Sequence, residues 1–214
     1  MNKRGKSSNI WLARQHNDIY TKKSKQHGYR SRAVYKLLEI QQKYQIFKPH
    51  SIIVDLGAAP GGWSQLAVEY VGKSSKIIAV DILPIAPIEG VNIIRGDFTK
   101  KDTIDQISKL LLEEKIDLVI CDMAPNFSGI SDVDQSSAVY LSELVLNFVK
   151  MTLKGNGSFL IKLFQGEGFD EYIQELKNYF ANIVIKKPKA SHSESREIYI
   201  LARKFQSGSP PSRG

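Results

Sequence analysis

Chemistry-bearing side chains in this sequence cluster where apolar runs break off. Asp55 follows Ile52, Ile53 and Val54; Asp81 closes KIIAVD; Asp122 closes IDLVICD; and Lys162 stands inside GSFLIKLF. An acid at the tip of the second strand is where doubly wound folds hydrogen-bond a cofactor ribose, which makes Asp81 a candidate against the plain alternative of a strand-end turn. A lysine in an apolar strand loses hydration unless it serves a site or faces outward at the strand's end. The stretch DLGAAPGGWSQ from Asp55 to Gln65 supplies the loop. Gly57, Gly61 and Gly62 let the backbone approach a ligand closely, and Pro60 stiffens the turn. Neither G-x-G-x-x-G nor a terminal Gly-Lys-Ser/Thr is present, so the loop lacks the signature of a dinucleotide or P-loop site. It carries no cation for a phosphate, while Asp55 suits a ligand that is itself positive. S-adenosylmethionine, with its sulfonium, amino group and neutral ribose, meets that description; a purely structural βα turn is the plainer possibility.

These residues need a parallel sheet to bring them together. Ile52 to Val54, Lys76 to Asp81, Val91 to Arg95, Ile116 to Asp122 and Gly157 to Phe164 read as short buried strands. Helical spacing marks Ser31 to Tyr44, with Ser31 as its N-cap, Trp63 to Tyr70, Asp102 to Glu114, Gln135 to Leu153, and a helix through Phe169 and Phe180. Lys36 lies on the first of these. Asn182 to Lys186 and Ile198 to Ala202, joined through the basic Ser-rich loop KKPKASHSESRE, read as an antiparallel closing pair with Glu197 at its start. Asp97 and Phe98 follow the third strand, placed to take an adenine amino group and pack its ring.

At 214 residues with 42% hydrophobic content the chain fits one domain. Three regions are expected: a basic arm over 1–30, a folded domain over 31–205 and a disordered tail over 206–214. The net charge is +8, and of 30 basic and 22 acidic side chains, twelve and two fall in the first fifty residues. The positive surplus is therefore N-terminal, interleaved with Trp11, Tyr20 and Tyr29. Basic groups neutralise phosphates and aromatics stack on unpaired bases, a composition suited to irregular RNA; a solvated arm whose Trp11 packs on the core is the alternative. The single cysteine, Cys121, excludes an internal disulfide, and a reducing, cytoplasmic setting is expected, with the Arg-rich, acid-poor start as a transit peptide the alternative. Four scattered histidines show no metal-ligand spacing, so no metal is expected. Neither a membrane span nor a secretory signal is expected.

DLGAAPGGWSQ, Asp81 in AVDI, GDFT at Gly96 to Thr99 and CDMAPN at Cys121 to Asn126, in that order, resemble the FtsJ/RrmJ (RlmE) family of S-adenosylmethionine-dependent ribosomal RNA 2′-O-methyltransferases. The resemblance runs from the arm to Arg203. It implies a Rossmann-like α/β fold with a mostly parallel seven-stranded sheet, one antiparallel strand and helices on both faces. It also implies a Lys-Asp-Lys-Glu tetrad on Lys36, Asp122, Lys162 and Glu197, with Lys162 as proton acceptor. Gly61, Trp63, Asp81, Asp97 and Asp122 match the cofactor residues. The implied substrate is a uridine ribose of 23S-type RNA in the assembled large subunit, acted on by a monomer. A tRNA or mRNA-cap methyltransferase and a non-catalytic ribosome-assembly factor are the rivals.

The residue types suit that chemistry. A 2′-hydroxyl must lose a proton while attacking a methyl carbon in line with the departing sulfur, so orientation, a proton acceptor and oxyanion stabilisation are what a protein supplies. A lysine accepts a proton only when neutral, which burial or a neighbouring cation such as Lys36 favours and the carboxylates of Asp122 and Glu197 oppose.

Overall fold

The structure, a computed structural model, describes residues 19–72, 74–125, 129, 131–191 and 195–206. Seven strands form one sheet in the order β3-β2-β1-β4-β5-β7-β6. They are β1 (Ile52–Leu56), β2 (Lys76–Asp81), β3 (Val91–Arg95), β4 (Ile116–Cys121), β5 (Leu153–Phe164), β6 (Phe180–Lys186) and β7 (Glu197–Phe205). β1 to β5 are parallel, and β7 pairs antiparallel with both β5 and β6. The chain moves outward from β1 through β2 to β3, then returns to place β4 on the other side of β1. That reversal opens a crevice at the carboxyl ends of β1 and β4.

Helices cover both faces. On one lie α1 (Ile19–Gln26), α2 (Val34–Tyr44) and α3 (Gly62–Val71); on the other, α4 (Lys101–Leu111), α5 (Ser131–Thr152) and α6 (Phe169–Tyr179). Alternation along the strands feeds two cores. Ile53, Leu118, Ile120, Leu160, Tyr199 and Leu201 meet Leu37 and Ile40 of α2 and Leu66 of α3, whereas Val54, Val119, Phe159, Ile161 and Ile200 meet Val145, Phe148 and Leu176. Leu37 and Ile40 are fully buried. Deleting such a side chain typically costs about 2–5 kcal/mol, so α2, which carries Lys36, is held firmly.

Several expectations change. Asp55 lies within β1 rather than past its end and is completely buried, because the strand continues to Leu56 in register with Val80 and Cys121. Ser31 is not an N-cap: α2 begins at Val34, Ala33 precedes it, and the Ser31 carbonyl accepts the Val34 N–H in a turn. β5 starts earlier than the Gly157 expected, since Leu153 bridges to Ile116 across a register shift. The arm is helical over α1, where Tyr20 packs on Tyr35 with ring centroids 5.5 Å apart. Trp11, Asn126 and the tail from 207 onward lie outside the described residues.

Candidate active site

Strand ends wall a cavity of about 420 Å3. Gly57 and Ala59 after β1, Asp81 to Leu83 after β2, Asp97 to Thr99 after β3, and Asp122 to Pro125 after β4 line it, and Leu141 of α5 closes one side. Gly57 is needed here for two reasons: its φ is +75°, and a Cβ would collide with the backbone and side chain of Met123. The β1 and β4 loops can approach this closely because no side chain separates them.

The Asp81 carboxylate ties two loops. Oδ2 accepts the Ala59 N–H at 2.9 Å and Oδ1 accepts the Leu83 N–H at 2.8 Å. Each oxygen retains a lone pair for a ligand hydroxyl. Asp97 accepts the Thr99 N–H and hydroxyl at 2.9 and 2.7 Å, and these bonds hold its carboxyl below the usual aspartate range. Phe98 packs edge-on against Phe148 while facing the cavity. Asp81, Asp97 and Asp122 thus all line the cavity. Gly61 and Trp63 do not line it. Gly61 packs under Ile85 and Ile88, and Trp63 is a core residue whose Nε1–H donates to the Ala33 carbonyl at 2.9 Å.

Beside the cavity, two lysines and two carboxylates converge. Sheet register explains why: Lys162 pairs with Tyr199 across β5 and β7, and Asp122 directly follows Cys121, which pairs with Ile161. Asp122, Lys162, Glu197 and Tyr199 share strand parity with Ile120, Leu160 and Leu201, so all four point toward α2, from which Lys36 descends. Lys36 Nζ donates to Glu197 Oε1 at 2.6 Å. Lys162 Nζ donates to the Asp122 carbonyl at 2.5 Å and lies 3.0 Å from Asp122 Oδ1. The two ion pairs are bridged by Tyr199, which donates its O–H to Asp122 Oδ1 at 2.8 Å while its ring lies 5.6 Å below Lys36 Nζ.

Tyr199 and Ser191 carry no flag in the sequence. Tyr199 stands two residues from Glu197 on one strand, a spacing that puts both on one face and could have exposed it. Ser191 donates to Glu197 Oε1 at 2.9 Å, but no local pattern announces a loop serine folding back six residues. Burial alone would push the Glu197 carboxyl up; Lys36, the Ser191 hydroxyl and Lys162 outweigh it and hold the group below the usual glutamate range. Burial, with the charges of Asp122 and Glu197, raises the Tyr199 phenol well above its ordinary value, so it remains a donor.

Asp55 lies beneath this site. Its Oδ2 accepts the Ser64 hydroxyl at 2.7 Å, while Oδ1 has no partner. Burial pushes the carboxyl up from 3.8 to about 7; the Ser64 bond opposes this and the charges of Asp122 and Asp81 add to it. A folded-state value above the unfolded one means stability fully present below 3.8 and lost as pH rises through about 7. Asp55→Asn removes that slope, leaving only a constant offset from its amide. Urea denaturation across this range should show the variant gaining on the wild type as pH rises, then levelling; parallel curves would contradict the assignment.

A switch-point cavity whose described lining residues include no Lys or Arg, flanked by two bridged lysine–carboxylate pairs, fits an α/β methyltransferase of Rossmann type. The chain belongs to the FtsJ-like methyltransferase family, whose sequence model matches residues 29–205. Among curated relatives, the ribosomal RNA large subunit methyltransferase E of Marinobacter nauticus is 49% identical over 203 residues, covering 95% of this chain and 98% of its own. Its namesake from Cellvibrio japonicus is 50% identical over 202 residues, covering 94% and 96%. A crystal structure from Plasmodium falciparum, described as a ribosomal RNA methyltransferase, superposes with a TM-score of 0.75 at 30% identity, covering 83% of this chain and 98% of that one. Among the described residues no helix is long and apolar enough to cross a membrane.

Proposed function

We propose that this enzyme transfers the methyl group of S-adenosylmethionine to a uridine 2′-hydroxyl in 23S-type RNA of the assembled large ribosomal subunit, acting as a cytoplasmic monomer. The observation that carries this reading is the Asp122 carboxylate, which lines the cavity and also anchors Lys162 and Tyr199. Its neighbours fit the cofactor. Asp81 offers lone pairs to a ribose, Phe98, Ile82 and Leu83 offer apolar surface to adenine, and the described lining residues include no Lys or Arg that would select a phosphate.

Bound there, S-adenosylmethionine supplies an electrophilic methyl carbon with a neutral thioether as leaving group. Lys162, in its neutral form, accepts the hydroxyl proton at Nζ, and Asp122 together with Tyr199 fixes the direction of that nitrogen. Lys36, held by Glu197, presents positive charge to the oxygen as it becomes negative. Gly61 and Trp63 act from behind the wall, shaping the loop and seating α3 against α2.

Two experiments test substrate and arm. Methyl transfer should be efficient to unmethylated large subunits and poor to their extracted RNA or to bulk tRNA, because the target is recognised by shape. Efficient tRNA modification with inert subunits would overturn the substrate while leaving the reaction standing. RNA affinity should fall steeply with salt. Removing residues 1–18, which spares α1 and its packing on Tyr35, should flatten that slope by about 0.7–0.9 for each phosphate the arm had neutralised. An unchanged slope would remove the arm from RNA binding. Lys187 and Lys189, in the loop before Glu197, are expected to supply the salt dependence that remains.

A further inference from the structure

The basic N-terminal segment is expected to supply most phosphate contacts, yet Arg30 is engaged elsewhere. Its Nη1 donates to the carbonyls of Pro60 at 3.2 Å and Ala86 at 2.6 Å, and its Nη2 to that of Pro87 at 2.7 Å. Its backbone N–H donates to Gln65 Oε1 at 2.9 Å, which fixes the stem against α3. Pro60 belongs to the Gly-rich loop between β1 and α3; Ala86 and Pro87 belong to the loop 82–90 between β2 and β3. That second loop, ILPIAPIEG, has two prolines without N–H groups and no strand or helix of its own. Two of its carbonyls, those of Ala86 and Pro87, take donors from Arg30, outside the loop.

The same guanidinium sits where the loops touch. A Cβ on Gly61 would fall 2.8 Å from Ile88 Cδ1, 3.1 Å from Arg30 Nη1 and 3.3 Å from Ile85 Cγ2. The far ends of both loops wall the cavity through Ala59, Ile82 and Leu83, and both are tied to Asp81. A planar fork with five donors can span three carbonyls at once, which a point charge cannot.

We propose that Arg30 is a positioning residue for the methyl donor: from outside the cavity, its guanidinium locks the Gly-rich loop to the β2–β3 loop and so sets the geometry of the cofactor wall. This rests on the reading that S-adenosylmethionine occupies the cavity. The residue works through backbone it holds, and its charge, directed at carbonyls, contributes little to RNA.

Calorimetry with S-adenosylmethionine, steady-state kinetics and the salt dependence of RNA binding test this together on the full chain. Arg30→Gln should weaken cofactor affinity and raise its KM by roughly ten- to hundredfold, the scale of losing charge-assisted hydrogen bonds. At saturating cofactor kcat should stay within about threefold, because no transition-state interaction is removed. The salt slope should not change. Arg30→Lys, the second variant should the first fail to fold, keeps the charge but not the fork, and a several-fold weakening is expected. Unimpaired cofactor affinity in the variants would overturn the inference, and a slope flattened by about 0.7–0.9 would overturn it and make Arg30 a phosphate ligand. A wild type that binds no S-adenosylmethionine would remove the underlying reading and the inference with it; normal wild-type binding with unimpaired variants would remove the inference alone.

Discussion

Lys162→Ala is expected to lower kcat by about 10²–10⁴-fold, the usual scale for a lost proton-transfer group, while cofactor affinity stays within a few-fold. The separation follows from the geometry. Lys162 does not line the cavity, so removing it leaves the Asp81 and Asp97 wall intact, whereas its nitrogen is the group fixed beside the Asp122 carboxylate. Asp122 keeps its bond from Tyr199, which limits the structural damage. Lys36→Ala and Glu197→Ala should be milder, since each acts by orientation and charge rather than by taking the proton. Near-normal turnover in Lys162→Ala would leave it a structural partner of Asp122 and move the proton acceptor elsewhere.

Asp81→Ala should produce the mirror-image result: affinity for S-adenosylmethionine and for its demethylated product falls by about 10²-fold or more. A hydrogen bond to a charged group is worth about 1.5–3 kcal/mol. This carboxylate both lines the cavity and holds the Ala59 and Leu83 amides. Both ligands should suffer alike, because the ribose is common to them and the methyl group is not. Turnover at saturating cofactor should recover much of its wild-type value. Equal binding by variant and wild type would show that the nucleoside lies elsewhere. A weakening confined to the methylated form would place Asp81 near the sulfonium instead.

The first four strands were legible because each is a short run rich in β-branched residues closed by an acid or glycine, and the resemblance implied a mostly parallel seven-stranded sheet without giving the strand order that the structure shows. Strand ends were less clear. The alternation that marks Ile52 to Val54 carries no signal for whether Asp55 continues the strand, and tertiary pairing with Val80 and Cys121 decides it. Ser31 shows the same limit, since a capping residue type has no capping role once the turn before α2 takes its backbone. Lys36, Asp122, Lys162 and Glu197 were singled out in the sequence and the structure brings them together, but Tyr199 and Ser191 were not, because approaches across β5, β7 and a loop are fixed by register. Trp63 has the residue type of a ligand platform, yet its indole N–H finds the Ala33 carbonyl and its ring lies 5.8 Å from Tyr199, so it belongs to the core under the site. Arg30 reads in sequence as one more basic residue of the arm; three carbonyls from distant loops give it a different role.

The proposed product is a methyl group on a ribose oxygen of large-subunit RNA. A 2′-O-methyl group removes the hydroxyl that attacks the adjacent phosphodiester in alkali. Unmethylated large subunits should therefore be incubated with the full chain and S-adenosylmethionine labelled in its methyl group, and their RNA extracted and hydrolysed in alkali. The label should appear in one alkali-resistant dinucleotide containing uridine, and should be absent with Lys162→Ala at the same cofactor occupancy. Label released in alkali-sensitive mononucleotides would mean a methylated base, and no label in large-subunit RNA would mean a different substrate; either contradicts the claim.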